Sequence, residues 1–159
     1  MFFVRSVILY IASSLDGYIA KLDGEVDWLF TDQGYGYDDF FARIDPVLMG
    51  RKTYSQVLEF GEYPYSSKQG FVLTRSPTHL PDPNVTFIYQ DMVPFIESLR
   101  RSPGKAIWLV GGGEVIRLFL QHDWIDEIIL SIHPVILGEG IPLFSPSPDS
   151  HRSLHLNGK

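Results

Sequence analysis

Three consecutive glycines, Gly111-Gly112-Gly113, divide the apolar run 106–110 from a stretch in which Val115/Phe119 and Ile116/Leu120 repeat at a spacing of four. The short apolar run reads as a buried strand and the spacing of four as one face of a helix. The glycines therefore mark a strand-to-helix turn. Such a turn offers free backbone N–H groups at the positive end of a helix dipole, which suits a phosphate. The same glycines would equally serve a tight turn where no side chain fits. Two more stretches carry groups that hold anions. In Met49-Gly50-Arg51-Lys52-Thr53-Tyr54 a strand ends and a helix begins with two cations and a hydroxyl. Cations at a helix N-terminus are unfavourable by roughly 0.3–1 kcal/mol each, and an anionic ligand would offset that. Thr74-Arg75-Ser76 places hydroxyls beside a guanidinium, whose planar fork matches a phosphate. It reads as well as an ordinary polar turn before Pro77. Neither GxGxxG nor GxxxxGK[ST] occurs, so the Rossmann and P-loop fingerprints are both missing.

Strands and helices must position these loops. The pattern predicts strands over 6–14, 17–20 after a turn at Asp16-Gly17, 46–49, 71–73, 85–89, 106–110, 127–134 and 153–156. It predicts helices over 37–43, with Phe40 and Phe41 on one side, and after Gly50, with Tyr54, Val57 and Leu58 on one face. A third helix runs from an Asp91 cap to Arg101, with Pro94 in its first turn and Val93, Ile96 and Leu99 at spacing three. The fourth follows Gly113. Residues 23–36 read as a loop with short structure. Strands alternate with helices and several strands are apolar throughout, which describes an α/β sheet covered on both faces. Ligands of such sheets bind beyond the C-terminal ends of the strands, where Gly50, Thr74 and Gly111 all fall.

The chain of 159 residues suits one domain, 1–159, with a full core. With 45% hydrophobic and 20% charged residues it is globular rather than disordered. Its net charge of −6 argues against broad binding to nucleic acid or an anionic membrane. Cysteine is absent, which removes disulfides, thiolate metal sites and a cysteine nucleophile, and fits a cytoplasmic location. The apolar N-terminus is short, carries Arg5 and breaks at Asp16-Gly17, so it reads as a first strand and not a signal peptide. His79, His122, His133, His151 and His155 show no HExxH or tight spacing, so no metal is expected. Trp28, Trp108 and Trp124 read as packing residues, with Trp28 alternatively a pocket wall.

The ordered set IASSLDGYIA, DPVLMGRKTY, FVLTRS, IWLVGGGEVIRLFL and HPVILGEGIPLF resembles the dihydrofolate reductase-like superfamily. Within it, the resemblance is strongest to small proteins grouped with the C-terminal reductase domain of riboflavin biosynthesis, the RibD C-terminal domain. The resemblance implies a three-layer sandwich, a mainly parallel mixed sheet with helices on both faces. It implies NADPH as cofactor, with Gly50, Arg51, Lys52 and Thr53 at its phosphates and Arg51 near the 2′-phosphate. Leu73 would touch the adenine side, and Thr74, Arg75 and Ser76 would add 2′-phosphate contacts. Val110, Gly111, Gly112, Gly113, Glu114 and Val115 would cradle the pyrophosphate and the nicotinamide side, with Ala12, Ser13 and Ile19 or Ala20 lining the nicotinamide pocket. Ser14, Asp16 and Trp28 would border the substrate.

The implied activity is hydride transfer to a heterocyclic or imine-like carbon, as in 5-amino-6-(5-phosphoribosylamino)uracil reductase. A dihydrofolate or dihydropterin reductase is the alternative within enzymes, and a non-catalytic nucleotide-binding or dimerising module the alternative outside them. The partners implied are a small-molecule substrate and a second copy in a homodimer. Two departures bear on the substrate. Pyrimidine reductases of this type carry a glutamate just before the glycine pair, where this chain has Val110. Dihydrofolate reductases place an acid in the helix before the MGR strand, where Tyr37 falls closest and Asp38 and Asp39 lie beside it. Asp39 is the candidate proton donor, or else a helix-start acid on a solvated face; Asp16 is a catalytic-side acid or a turn former. Related proteins continue through another strand after the position of Leu156, so a gap at the sheet edge is expected.

Overall fold

Side chains of alternating strand residues point to opposite faces, and here both faces are apolar. In the strand Val7–Ser14 (β1), Val7 and Leu9 enter one core while Ile8 and Tyr10 enter another. The same division holds in Ala106–Gly111, where Ile107 and Leu109 oppose Trp108 and Val110. A strand that is apolar on both sides must be covered on both sides. The computed structural model describes residues 4–29, 36–76, 81–146 and 151–158. Its elements after β1 are Tyr18–Ala20 (β2), Tyr37–Ala42 (α1), Ile44–Gly50 (β3), Arg51–Glu59 (α2), Gly70–Leu73 (β4) and Val85–Ile88 (β5). Met92–Arg101 (α3), Ala106–Gly111 (β6), Gly113–Gln121 (α4), Glu127–His133 (β7) and Ile141–Pro142 (β8) complete the order.

Six strands form one sheet in the order β5-β4-β3-β6-β1-β7, and every pairing in it is parallel. The antiparallel element of the expected mixed sheet is a separate ribbon of β2 and β8. On one face Ile96 of α3 and Val115, Ile116 and Phe119 of α4 pack against Leu9, Leu48, Leu73 and Leu109. On the other, Phe40 of α1 and Tyr54 of α2 pack against Ile8, Val47, Met49 and Trp108. Aromatic rings make up much of this second core: Phe40 stacks on Tyr10 at 4.2 Å, and Trp108 meets Phe40 edge-on at 5.2 Å.

Most element expectations hold within a residue or two, and three local ones do not. Asp91 does not cap α3 with its side chain; it adopts a left-handed backbone (φ 53°) and makes no capping bond. Leu58 is 41% exposed, although it follows buried Tyr54 by one turn, because it lies in the last turn of α2. The expected strand 153–156 is irregular, with Leu154 and Leu156 exposed. An alternating pattern becomes a strand only when a neighbouring edge accepts it, and here none does. The last strand is β8 instead, set by the turn 137–140 and tied back by the Leu143 N–H donating to the Gly17 carbonyl at 2.9 Å. His79 and Pro77 lie outside the described residues. Among the described residues no helix is long and apolar enough to cross a membrane, and no group of metal-ligating side chains occurs.

Candidate functional site

Sheet order brings the candidate loops together. β4, β3, β6 and β1 are consecutive neighbours, and all run parallel. Their C-terminal ends therefore lie side by side, carrying Thr74–Ser76, Gly50–Thr53, Gly111–Val115 and Ala12–Ser14. The loops also touch one another. A Cβ on Gly112 would lie 3.1 Å from the Thr53 hydroxyl, and one on Gly50 would lie 3.0 Å from Val115 Cγ2. The Arg75 guanidinium reaches Glu114 at 3.7 Å, so the loop after β4 spans the loop after β3 to meet the start of α4.

The three glycines answer to different causes. Gly111 is buried with φ at +135°, a backbone that other residues rarely adopt. It is joined to Gly112 by a cis peptide bond. Gly112 and Gly50 sit where the two loops pack backbone to side chain, and a Cβ at either would require Thr53 or Val115 to shift. At Gly113 an added Cβ would make only ordinary contacts, 3.5 Å to the Pro142 carbonyl and 3.7 Å to Ile141 Cγ2. Of the three, Gly113 is the one whose lack of a side chain packing does not explain.

Two helices begin here. α2 and α4 each have nine residues, a glycine at the N-cap and no side-chain capping bond. Neither helix is capped by the side chain of its N-cap residue, and the dipoles add to the positive field of Arg51 and Lys52, both exposed. Thr74 is buried, and its hydroxyl accepts the Ser76 N–H at 3.2 Å, shaping the turn that presents Arg75 to solvent. Tyr54 anchors α2 from behind by donating its hydroxyl to Asp82. Burial foremost, and then that bond, push the Tyr54 phenol up to about 12, while the same bond holds Asp82 below its ordinary range. The cradle fits a pyrophosphate: it offers N–H donors, cations and a glycine without a packing duty. Leu73 sits in the core at 5% exposure, so its side chain belongs to the sheet interior.

The loop after β1 differs. Ser13 and Ser14 are both buried. The Ser14 hydroxyl donates to Asp16 Oδ1 at 2.6 Å and accepts the Tyr18 N–H at 3.0 Å. Asp16 also accepts the N–H groups of Leu137 at 3.1 Å and Gly138 at 2.8 Å. The Ser14 bond, with the backbone bonds beside it, lowers the Asp16 pKa. Both side chains expected at the substrate thus have internal partners; they close a turn and bind it to the loop before β8.

Of the two readings of Asp39, helix geometry matches the acid on a solvated face. Tyr37, Phe40 and Phe41 face the sheet, ringed with Tyr10 and Trp108. Residues two positions from Tyr37 project about 200° away around a helix. Asp38 and Asp39 are accordingly exposed on the solvent side of α1. The inward group is the half-buried phenol of Tyr37, whose pKa is raised chiefly by burial. Trp28 is buried with its ring edge-on to His133 at 5.8 Å, and its indole N–H has no partner among the described residues. His133 ends β7 directly beside Ser14, so Trp28 lies at the strand ends, as a pocket wall requires.

The sequence reading missed two features: Thr53 as the joint between loops, and the approach of β8 to Gly113. A signal existed only for the second, in the turn 137–140 followed at once by Ile141.

Residues 5–158 match the family model described as RibD C-terminal domain. The uncharacterized protein YwjB of Bacillus subtilis (strain 168) is 44% identical over 144 residues, covering 88% of this chain and 83% of its own. A structure from Shewanella sp. PV-4, described provisionally as a riboflavin biosynthesis protein, is 34% identical with a TM-score of 0.79. The match covers 96% of this chain and 89% of that one. Dihydrofolate reductase from Enterococcus faecalis, complexed with NADP(H) and RAB-propyl, is 18% identical with a TM-score of 0.66. It covers 94% of this chain and 82% of its own, and it shows a shared fold alone.

Proposed function

We propose a function from one premise: the chain belongs to the RibD C-terminal domain family. The protein is an NADPH-dependent reductase of a planar heterocycle or an imine-like carbon. The observation that carries this reading is the run of four neighbouring strand ends, β4, β3, β6 and β1, whose loops offer two uncapped helix N-termini and three exposed cations. The N–H groups that open α2 and α4 hold the pyrophosphate, with Gly113 giving the closest backbone approach. Arg51, Lys52 and Arg75, with the Ser76 and Thr53 hydroxyls, select the extra phosphate of NADPH over NADH. Ala12, Ser13, Ile19 and Val110 shape the nicotinamide pocket. The bound cofactor supplies the hydride, and the protein supplies position and exclusion of water.

The substrate lies between Trp28 and the Tyr10–Tyr37 wall. Tyr37 is the inward proton donor in place of Asp39, on the ground of its position facing Tyr10 and Trp108. A 5-amino-6-(5-phosphoribosylamino)uracil-like compound is the leading substrate, supported by the family and by the description of the Shewanella relative. A dihydropterin is the alternative. Thermal-shift titration with NADPH and NADH tests the cofactor, and NADPH absorbance with each substrate tests the reaction. Absence of any NADPH shift removes the reading. Binding without oxidation of either substrate favours a nucleotide-binding module, a second reading supported by the solvent-facing place of Asp39.

A further inference from the structure

The opposite end of the sheet carries a second polar site. Where strands begin rather than end, a cleft of about 580 Å³ opens between the turns at Ser67–Gln69 and Ser102, with Arg5 and Asp45 in its wall. Arg5 is 6% exposed, the only Lys, Arg, Asp or Glu so buried among the described residues. A buried guanidinium is costly unless its donors are met. Arg5 Nε donates to the Lys105 carbonyl at 2.8 Å, one Nη to the Ser102 hydroxyl at 3.2 Å, and the other to Asp45 Oδ2 at 3.5 Å. Three of the five N–H groups of a guanidinium are thus engaged. The single anionic partner stands at the limit of hydrogen-bonding distance. It is also drawn elsewhere, because Asp45 Oδ2 accepts the Lys105 backbone N–H at 2.7 Å.

Lys68 supplies a second fixed cation. Its ammonium donates to the Ile44 carbonyl at 2.8 Å and lies 4.7 Å from the centre of the Phe41 ring, which leaves further N–H donors. Two cationic residues and one carboxylate therefore line the cleft. Ser67 and Gln69 line the rim, and both are exposed. The volume is within the range of ligand clefts, roughly 300–1,000 Å³, and exceeds what a bare phosphate fills.

We infer that this cleft binds a compact phosphorylated molecule bearing hydroxyl groups, its phosphate between Arg5 and Lys68 and its hydroxyls on Ser67, Gln69 and Ser102. The inference is independent of the reductase reading, because Gln69 and Thr74 lie at opposite ends of β4.

The test is a titration of ¹⁵N-labelled protein with ribose 5-phosphate, inorganic phosphate and ribose at matched ionic strength. The expected result is movement of the amide signals of Ser67–Gln69 and Ser102–Lys105, with ribose 5-phosphate binding tighter than either fragment. Arg5 holds three internal bonds, so its replacement endangers the fold, and Lys68→Gln and Gln69→Glu carry the test instead. Each should weaken ribose 5-phosphate binding at this cleft by about tenfold while leaving the rest of the spectrum in place. Signals that stay still, that move only at 50–53 and 111–115, or that move equally with chloride overturn the inference. So does an unchanged affinity in both variants.

Discussion

The loop leaving β1 and the loop leaving β6 emerge from adjacent parallel strands, yet they solve opposite problems. The first is closed by its own side chains: Ser14 bonds Asp16, and Asp16 bonds the backbone of Leu137 and Gly138. The second has almost no polar side chain, and its helix starts with no side-chain cap. Polar residue type at a strand end is therefore a poor guide to a ligand site when those residues satisfy one another. Unsatisfied backbone with no side chain in the way is the better guide. The loop after β3 belongs with the second kind, with cations added.

This contrast breaks most visibly at the glycines. Gly111→Ala forces a side chain onto a backbone at φ +135° and should lower unfolding free energy by about 1–3 kcal/mol in denaturant titration. Gly113→Ala meets only ordinary contacts and should fold normally, yet weaken NADPH binding measured by calorimetry. Normal NADPH affinity in Gly113→Ala would mean that the glycine serves the turn alone. Next in size is Arg51→Ala, expected to reduce NADPH affinity about tenfold and NADH affinity far less.

The closed loop gives a pH prediction. The folded Asp16 carboxyl has a lowered pKa, so its contribution to stability is present above the ordinary carboxylate value of about 4 and is lost as pH falls through the lower folded value. Asp16→Asn should flatten that acid limb in thermal melts without changing NADPH affinity. A large loss of NADPH affinity would place Asp16 in the site after all. The smallest effect belongs to Glu114→Gln, since both partners of the Arg75 pair are largely exposed. Stability should change by a few tenths of a kcal/mol at most.

Much of the fold was legible because the central strands are short apolar runs bounded by glycine or proline, and because Ile96, Val115, Ile116 and Phe119 keep helical spacing. The neighbouring loops at the candidate site were legible as separate motifs. That they share one end of the sheet was expected; the strand order that makes them neighbours was not, since it depends on β6 entering between β1 and β3, a pairing of residues roughly sixty and one hundred positions apart. Asp91 and the 153–156 strand were misread because local pattern says nothing of backbone handedness or of a missing neighbour. Asp39 is exposed, as its reading as a helix-start acid on a solvated face expects, and Tyr37, two positions earlier, takes the inward place.

The late arrival of β6 has a consequence for how the molecule is made. β1 and β3 are synthesised first, and neither has its inner neighbour until residues 106–111 emerge. Until then β3 lacks its inner neighbour and β1 lacks both of its neighbours, leaving apolar strand edges of the kind that invite misassembly. Closing the sheet is a long-range event, so it should be slow for a domain of this size. The same event brings the glycine turn beside Thr53. Nucleotide affinity would then appear only once β6 is in place, which makes ligand binding a reporter of that insertion.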